Sequence, residues 1–296
     1  MPTALPQPLR NTRVLSLALN LPGPAALMRC ARMGAECTKL EPPPAPGYPS
    51  ADPMGIYSPA AYATLHDGVR VVHAHLKTSE GQAALHDELA RTDVLITSFR
   101  PSALTKLGLG WDALQTQYPR LSLVRIVGAA AERAEEPGHD LTYLADAGLV
   151  TGTEMPPTLY ADMGGAVMAS EAVLQALLER AHTGSGVCIE VALAEAAAWL
   201  AQPRHWGLTT PDGDVGGHHA GYRIYPCADG RVAVAALEPH FAASLCAAAG
   251  LPATGDPQVL RAPDTHAAVA AFLRTQTRAQ LDALAAAQDI PLHTLA

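Results

Sequence analysis

The sequence predicts an α/β protein: a Rossmann-like parallel sheet in a large domain, residues 1–212, followed by a smaller α+β domain, residues 213–296. Three observations carry this. Short apolar runs alternate with longer helical patterns through the first two-thirds of the chain, the rhythm of βαβ crossovers. A turn-rich joint, Pro211-Asp212-Gly213-Asp214-Val215-Gly216-Gly217, then interrupts that rhythm. Beyond it, two strand-like runs flank Ala228-Asp229-Gly230, a hairpin pattern, and only helices follow.

Taken in order, the runs at 13–19, 36–40, 69–73, 93–97 and 121–127 have the length and apolar content of strands. Helical patterns lie between them at 24–33, 79–89, 101–107 and 111–118. Residues 42–59 are rich in Pro, Gly and Ser and predict an irregular loop inside the domain, because the alternation resumes after them. A helix over 163–180 carries Val173, Leu174, Leu177 and Leu178 on one face and is stopped by Thr183-Gly184-Ser185-Gly186. A strand at 187–191 and a helix at 192–206 complete the large domain. The small domain begins with strands at 222–225 and 231–235, and helices at 238–249, 265–274 and 278–288 end it.

With 49% hydrophobic residues the chain has ample material for a core, and a net charge of −8 argues against a general nucleic-acid or anionic-membrane binder. An anionic ligand would need a local basic pocket. The five cysteines, Cys30, Cys37, Cys188, Cys227 and Cys246, show neither C-x-x-C nor disulfide-scaffold spacing and are expected to be reduced core thiols in a cytoplasmic protein. Arg10 and Arg13 before an apolar run imitate a signal peptide, but Asn20 and Pro22-Gly23-Pro24 cut the run short. No window approaches 18 uninterrupted apolar residues, so no membrane span is expected.

The stretch richest in chemistry is Gly138-His139-Asp140-Leu141-Thr142-Tyr143, followed by Ala161-Asp162-Met163-Gly164-Gly165 at the head of the long helix. An imidazole and a carboxylate in short glycine-flanked turns suit proton exchange with one carbon, which needs one acid and one base. The structural alternative is that Asp162 and Asp140 are helix caps accepting backbone N–H bonds. Glu238, opening a helix after an apolar strand, has its own plain reading as a carboxylate favoured by the helix dipole. No Walker A, G-x-S-x-G or H-E-x-x-H motif occurs, and no G-x-G-x-x-G follows the first strand, so nucleotide-loop, serine-hydrolase, zincin and nicotinamide or flavin sites lack their marks. His73 with His75, and His218 with His219, have no carboxylate or thiolate at ligand spacing, and no metal is expected.

Leu21-Pro22-Gly23-Pro24, Gly34-Ala35, Lys39-Leu40-Glu41-Pro42-Pro43, Asp93-Val94-Leu95-Ile96 with Phe99-Arg100-Pro101, and Leu107-Gly108-Leu109-Gly110 together resemble the N-terminal half of family III CoA-transferases. The resemblance continues through Gly138-His139-Asp140, Ala161 to Gly165, Thr183 to Gly186 and Cys227-Ala228-Asp229-Gly230-Arg231 to Ala236-Leu237-Glu238-Pro239-His240-Phe241. The superfamily includes α-methylacyl-CoA racemase, and the chain is similar to that branch at His139, Asp162 and Glu238. The resemblance implies 1,1-proton transfer at the α-carbon of a 2-substituted acyl-CoA. His139 and Asp162 would alternate as base and acid, Glu238 would orient the imidazole, and the backbone N–H of Asp140 would hold the enolate oxygen. In the transferase branch Asp162 would instead be a covalent nucleophile, and a noncatalytic member is a third possibility. Coenzyme A enters as part of the substrate, with no metal or redox cofactor.

The sequence departs from its relatives where basic residues meet CoA. Leu65-His66-Asp67-Gly68-Val69-Arg70 keeps a single arginine, and Gly128-Ala129-Ala130-Ala131-Glu132 replaces a glycine and glutamine loop. Arg70, Arg100 and Arg125 are the expected CoA contacts, with modest affinity. The segment between His139 and Asp162 is shortened. The resemblance also implies a homodimer of the interlocked family type. Asp289 to Ala296 falls where relatives begin a return passage to the large domain, so the expected dimer has a truncated C-terminal return.

Overall fold

The computed structural model describes residues 6–296. Strands β1 (Arg13–Ser16), β2 (Glu36–Glu41), β3 (Arg70–His73), β4 (Val94–Thr97), β5 (Ser122–Val127) and β6 (Cys188–Ala192) form one sheet in the order β3-β2-β1-β4-β5-β6. Every pairing in it is parallel. The helices are α1 (Pro22–Arg32), α2 (Pro53–Tyr57), α3 (Pro59–Leu65), α4 (Ser79–Leu89), α5 (Pro101–Lys106), α6 (Trp111–Gln117), α7 (Asp140–Asp146), α8 (Tyr160–Thr183) and α9 (Leu193–Leu200).

The Rossmann-like expectation holds, and strand alternation explains why. Val14, Val94, Ile96, Val124 and Ile126 enter one core with residues of α1 and α8, while Leu15, Leu95 and Leu123 enter a second with residues of α4, α5 and α6. Both faces of the sheet centre are therefore covered, and β1, β4 and β5 read as nearly continuous apolar runs because neither of their faces meets water. Helix α8 packs against α1 and α9 through Ala161, Ala166, Ala169, Ala172 and Ala176. A Cβ at Gly165 would stand 2.2 Å from a Leu193 methyl, so this approach of α8 to α9 requires glycine.

The chain divides into two compact units, one ending at Ala201 and the other running from Gln202 to Ala296. The division falls earlier than the expected joint. The helix expected over 192–206 is broken into α9 and α10 (Gln202–His205), with Pro203 just past the break, where its missing N–H and ring oppose continuation. In the second unit β7 (Tyr222–Cys227), β8 (Gly230–Ala235) and β9 (Leu292–Leu295) form an antiparallel sheet in that order. Helices α11 (Pro239–Ala248), α12 (Pro257–Leu260), α13 (Pro263–Thr275) and α14 (Arg278–Gln288) follow the hairpin. Val232, Val234, Leu245, Val269, Leu273 and Leu281 form the core of this unit. The hairpin matches the sequence reading, whereas β9 and the short helices α2, α3, α7 and α12 are additions to it. No helix among the described residues is long and apolar enough to cross a membrane.

Beneath the carboxyl edge of the sheet lies a buried ionic cluster. Lys39, Glu41 and Asp52 are all fully buried, and Lys39 Nζ contacts the Asp52 carboxylate and stands 3.2 Å from Glu41 Oε2. Glu41 also accepts from the Ser50 hydroxyl at 2.7 Å and the Tyr62 hydroxyl at 3.2 Å. The loop expected over 42–59 is thus pinned to the sheet through Ser50 and Asp52, and its final turn is the helix α2 that Asp52 caps.

Candidate active site

A cleft opens at the carboxyl ends of β1, β4, β5 and β6, lined by Asn20, Ser98, Arg100, Val127, Gly128, Leu193 and their neighbours. The order in which strands are added to the parallel sheet reverses between β1 and β4, and open α/β sheets bind ligands at such a switch point. After β1 the chain turns at Asn20, in the left-handed region at φ 64°, which asparagine tolerates. Its N–H donates to Asp52 Oδ1 at 3.0 Å, and the Leu19 N–H donates to Ser98 Oγ at 3.2 Å. The second bond joins the β1 and β4 exits into one wall, and the first ties that wall to the start of α2.

His139 and Asp162 line this same cleft. His139 is the N-cap of α7, its N–H donating to Thr142 Oγ1 at 3.1 Å, and its side chain is exposed at the opening. Asp162 lies in the first turn of α8, whose N-cap is Leu159 and provides no side-chain cap. The orphan donor there is met from another helix: the Asp162 N–H donates to Asp140 Oδ1 at 2.9 Å. The cap reading therefore belongs to Asp140, which is buried, and the Asp162 carboxyl is left facing the cleft. That single bond also ties the start of α7, where His139 sits, to the start of α8.

Burial pushes the Asp162 carboxyl up to about 6, the charge of Asp140 adds to the rise, and His139 opposes it. A pair that works with one proton between its members loses activity when a second proton binds and when the last one leaves. One limb of the pH profile is expected near pH 6. Asp140→Asn keeps the acceptor for the Asp162 N–H but removes the charge that raises its carboxyl, so that limb should move to lower pH. A pH profile of the variant that superimposes on the wild type would refute this account of the raised carboxyl.

The expected CoA contacts divide. Arg100 lines the cleft at the N-cap of α5. Arg70 begins β3, at the amino end of the sheet and away from the cleft, where it donates to Glu88 Oε2 at 2.6 Å and Thr38 Oγ1 at 3.1 Å. Arg125 donates to Glu190 Oε2 on β6 at 2.7 Å and does not line the cleft. Both arginines that the structure leaves out are held by carboxylates, a pairing invisible to a reading that counts basic residues. Glu238 lies in the second unit, exposed, as the N-cap of α11 with no side-chain cap bond. It stands at the amino end of α11, one residue before the first turn, where the helix dipole still favours a carboxylate. Sequence reasoning passed over Tyr143 and Glu136, which also line the cleft. The signal for Tyr143 was the pair Gly128 and Gly138, both of which press against its ring.

Among the described residues no group of three or more His, Cys, Asp or Glu side chains is arranged to hold a metal ion. His73 instead lies 3.4 Å from Glu41, and His219 Nδ1 accepts the Gly221 N–H at 3.0 Å.

Residues 9–296 match CoA-transferase family III. The chain belongs to this family. Within it, the family III chain is 31% identical over 274 residues to α-methylacyl-CoA racemase of Mus musculus, covering 86% of the chain and 68% of that relative. It is also 31% identical over 220 residues to a probable fatty acyl-CoA transferase of Mycobacterium tuberculosis, covering 68% of the chain and 54% of the relative. A succinyl-CoA–D-citramalate CoA-transferase of Chloroflexus aurantiacus is 29% identical, with 76% of the chain and 60% of the relative covered. The chain thus spans 54–68% of the length of these three proteins. A crystal structure of a hypothetical protein from Mycobacterium tuberculosis superimposes with a TM-score of 0.81 at 23% identity, covering 97% of this chain and 83% of that one. A Brucella suis CaiB/BaiF family protein superimposes at 0.76 and 22% identity, over 99% and 85%. Both show the family fold.

Proposed function

We propose that this family III protein is an acyl-CoA racemase that inverts the α-carbon of a 2-substituted acyl-CoA by 1,1-proton transfer. The observation that carries the reading is the cleft shared by His139 and Asp162, with the carboxyl raised to about 6 and so poised to give or take a proton near neutrality. In one direction His139 removes the α-proton, and the C–H electron pair passes into the thioester to form an enolate. Protonated Asp162 then delivers its proton to the opposite face of the carbon, leaving an imidazolium and a carboxylate. The reverse direction uses the same groups in exchanged roles. An α-proton of a thioester is too weakly acidic for imidazole unless the enolate oxygen is held. The first-turn N–H of Asp140, which has no intrahelical acceptor, is proposed for that task. Arg100 is proposed to meet the anionic cofactor portion of the substrate. Glu238 enters from the resemblance alone, and Glu238→Ala should lower kcat if it assists the imidazole.

The transferase reading is retained because two of the relatives above are named as CoA-transferases, and a cleft-facing Asp162 also suits a nucleophile. Incubation with a chiral 2-methylacyl-CoA in deuterated water separates the readings. Deuterium at the α-carbon, lost in His139→Ala, supports the racemase; acyl exchange to an added acid that survives His139→Ala supports the transferase. Neither reaction would mark a noncatalytic member.

The proposal includes a homodimer. Tyr160, Met163 and Val167, on one face of α8, are each more than two-fifths exposed, as are Trp199 and Leu200 of α9, and a Cβ at Gly164 of α8 would lie 3.3 Å from the Leu200 Cδ1. A monomer rarely leaves such a contiguous apolar stripe to water. Sedimentation should give twice the chain mass, and a monomer at working concentration would remove this part of the proposal.

A further inference from the structure

The racemase reading does not use Tyr143, yet the fold gives up two side chains to place it. A Cβ at Gly138 would lie 2.6 Å from both the ring Cε1 and the hydroxyl oxygen, and one at Gly128 would lie 2.4 Å from the hydroxyl. Alanine at either position would displace the phenol, so the two glycines form a slot for it. Within that slot the residue is only 9% exposed, and its hydroxyl makes no hydrogen bond with any described residue. The buried side-chain atoms that lack a partner do not include this oxygen, so the hydroxyl reaches the solvent of the cleft and is free to donate to what enters there. The residue lines the cleft together with Arg100, His139 and Asp162, so an occupant of the cleft is in a position to replace water as the acceptor of this hydroxyl.

The chemistry of the hydroxyl narrows what that acceptor is. Burial and the charge of Asp162 raise the phenol's pKa, with Arg100 opposing, so it stays a protonated donor across the neutral range. It makes no bond to the Asp162 carboxylate, whose surroundings act through burial, Asp140 and His139. Tyr143 also lies on α7, three residues beyond Asp140, whose backbone N–H is proposed to meet the enolate oxygen. We infer that the Tyr143 hydroxyl is a second donor to the thioester carbonyl oxygen of the bound acyl-CoA, a bond that strengthens as the oxygen gains charge. This rests on the acyl-CoA reading of the cleft and makes Tyr143 a catalytic residue in it.

The test uses Tyr143→Phe, which keeps the ring in its slot and removes only the hydroxyl. Calorimetry would compare 2-methylbutanoyl-CoA with the thioether analogue carrying CH2 in place of the carbonyl, on wild type and variant. Wild type should favour the thioester, and the variant should lose roughly 3- to 10-fold of that preference, the range of one neutral hydrogen bond. Deuterium exchange at the α-carbon should fall by roughly 100-fold, the effect of deleting one oxyanion donor. A variant that keeps the full preference, a wild type with no preference, or a wild type that binds neither compound would each overturn the inference. If the preference falls in the variant while wild type exchanges no deuterium, the inference stands and the racemase reading fails. If wild type exchanges deuterium and the variant matches it in both rate and preference, the racemase reading stands and Tyr143 has no such role.

Discussion

On the proposed racemase reading, Asp162→Asn is expected to reduce racemisation by at least about 10³-fold, in the upper range for loss of a positioned acid or base, and at the same time to make the protein more stable at neutral pH. Both effects have one cause. Burial and the Asp140 charge lift the Asp162 carboxyl from 3.8 to about 6, so the folded protein holds this proton more tightly than the unfolded chain does. The contribution to stability is full below the unfolded value and is lost as pH rises through about 6, which leaves the ionised carboxylate a net burden at pH 7 and above. Asparagine carries no charge to bury. Each tenfold difference in proton affinity between the folded and unfolded chain is worth about 1.4 kcal/mol, so the variant should gain roughly 1–3 kcal/mol at pH 8 and little at pH 4. Urea unfolding at the two pH values gives the comparison. A variant that is inactive but no more stable at pH 8 would show that the carboxylate is not strained by its surroundings, and an active one would remove Asp162 from the reaction.

A raised, cleft-facing carboxyl differs from a cap in where its oxygens go, and the sequence alone left both readings open. The two aspartates are indistinguishable by type, each standing at the start of a helix beside glycine. The structure separates them through the bond from the Asp162 N–H to Asp140, which crosses between helices and so has no local sequence signature. The parallel sheet was legible because Val14 with Leu15 and Leu95 with Ile96 are apolar on both faces, a pattern set by burial from two sides. Strand β9 was not, since four residues after α14 carry no period long enough to detect, and they gain strand form only by pairing with β8. That Arg70 and Arg125 lie outside the cleft was hidden for a related reason. Their partners, Glu88 and Glu190, lie 18 and 65 residues further along the chain, and only the fold brings them together.

The second large effect concerns the buried ionic cluster: Lys39→Met should cost about 3–5 kcal/mol of folding stability, the range for breaking a buried pair by removing one partner. Lys39, Glu41 and Asp52 are each out of contact with solvent, so deleting the cation leaves two carboxylates uncompensated rather than restoring hydration. The pH dependence should reverse as well. In the wild type, burial alone would raise the Glu41 carboxyl, yet the Ser50 hydroxyl and Lys39 hold it below its ordinary value. That contribution is present above the unfolded value and is lost only as pH falls through the depressed one. Without Lys39 burial prevails, the carboxyl rises, and the variant should lose stability as pH increases from about 4 towards 7. Neutralising the partners in Lys39→Met with Glu41→Gln and Asp52→Asn should recover much of the loss, because a cluster removed whole leaves no unpaired charge. The consequence reaches the site, since Asp52 holds the Asn20 N–H at the wall of the cleft. On the proposed acyl-CoA reading of the cleft, Lys39→Met should therefore raise the KM for acyl-CoA even in conditions where the variant remains folded. Loss of less than about 1 kcal/mol in Lys39→Met, with an unchanged pH slope, would show that the cluster is not the anchor of the 42–59 loop that its burial indicates.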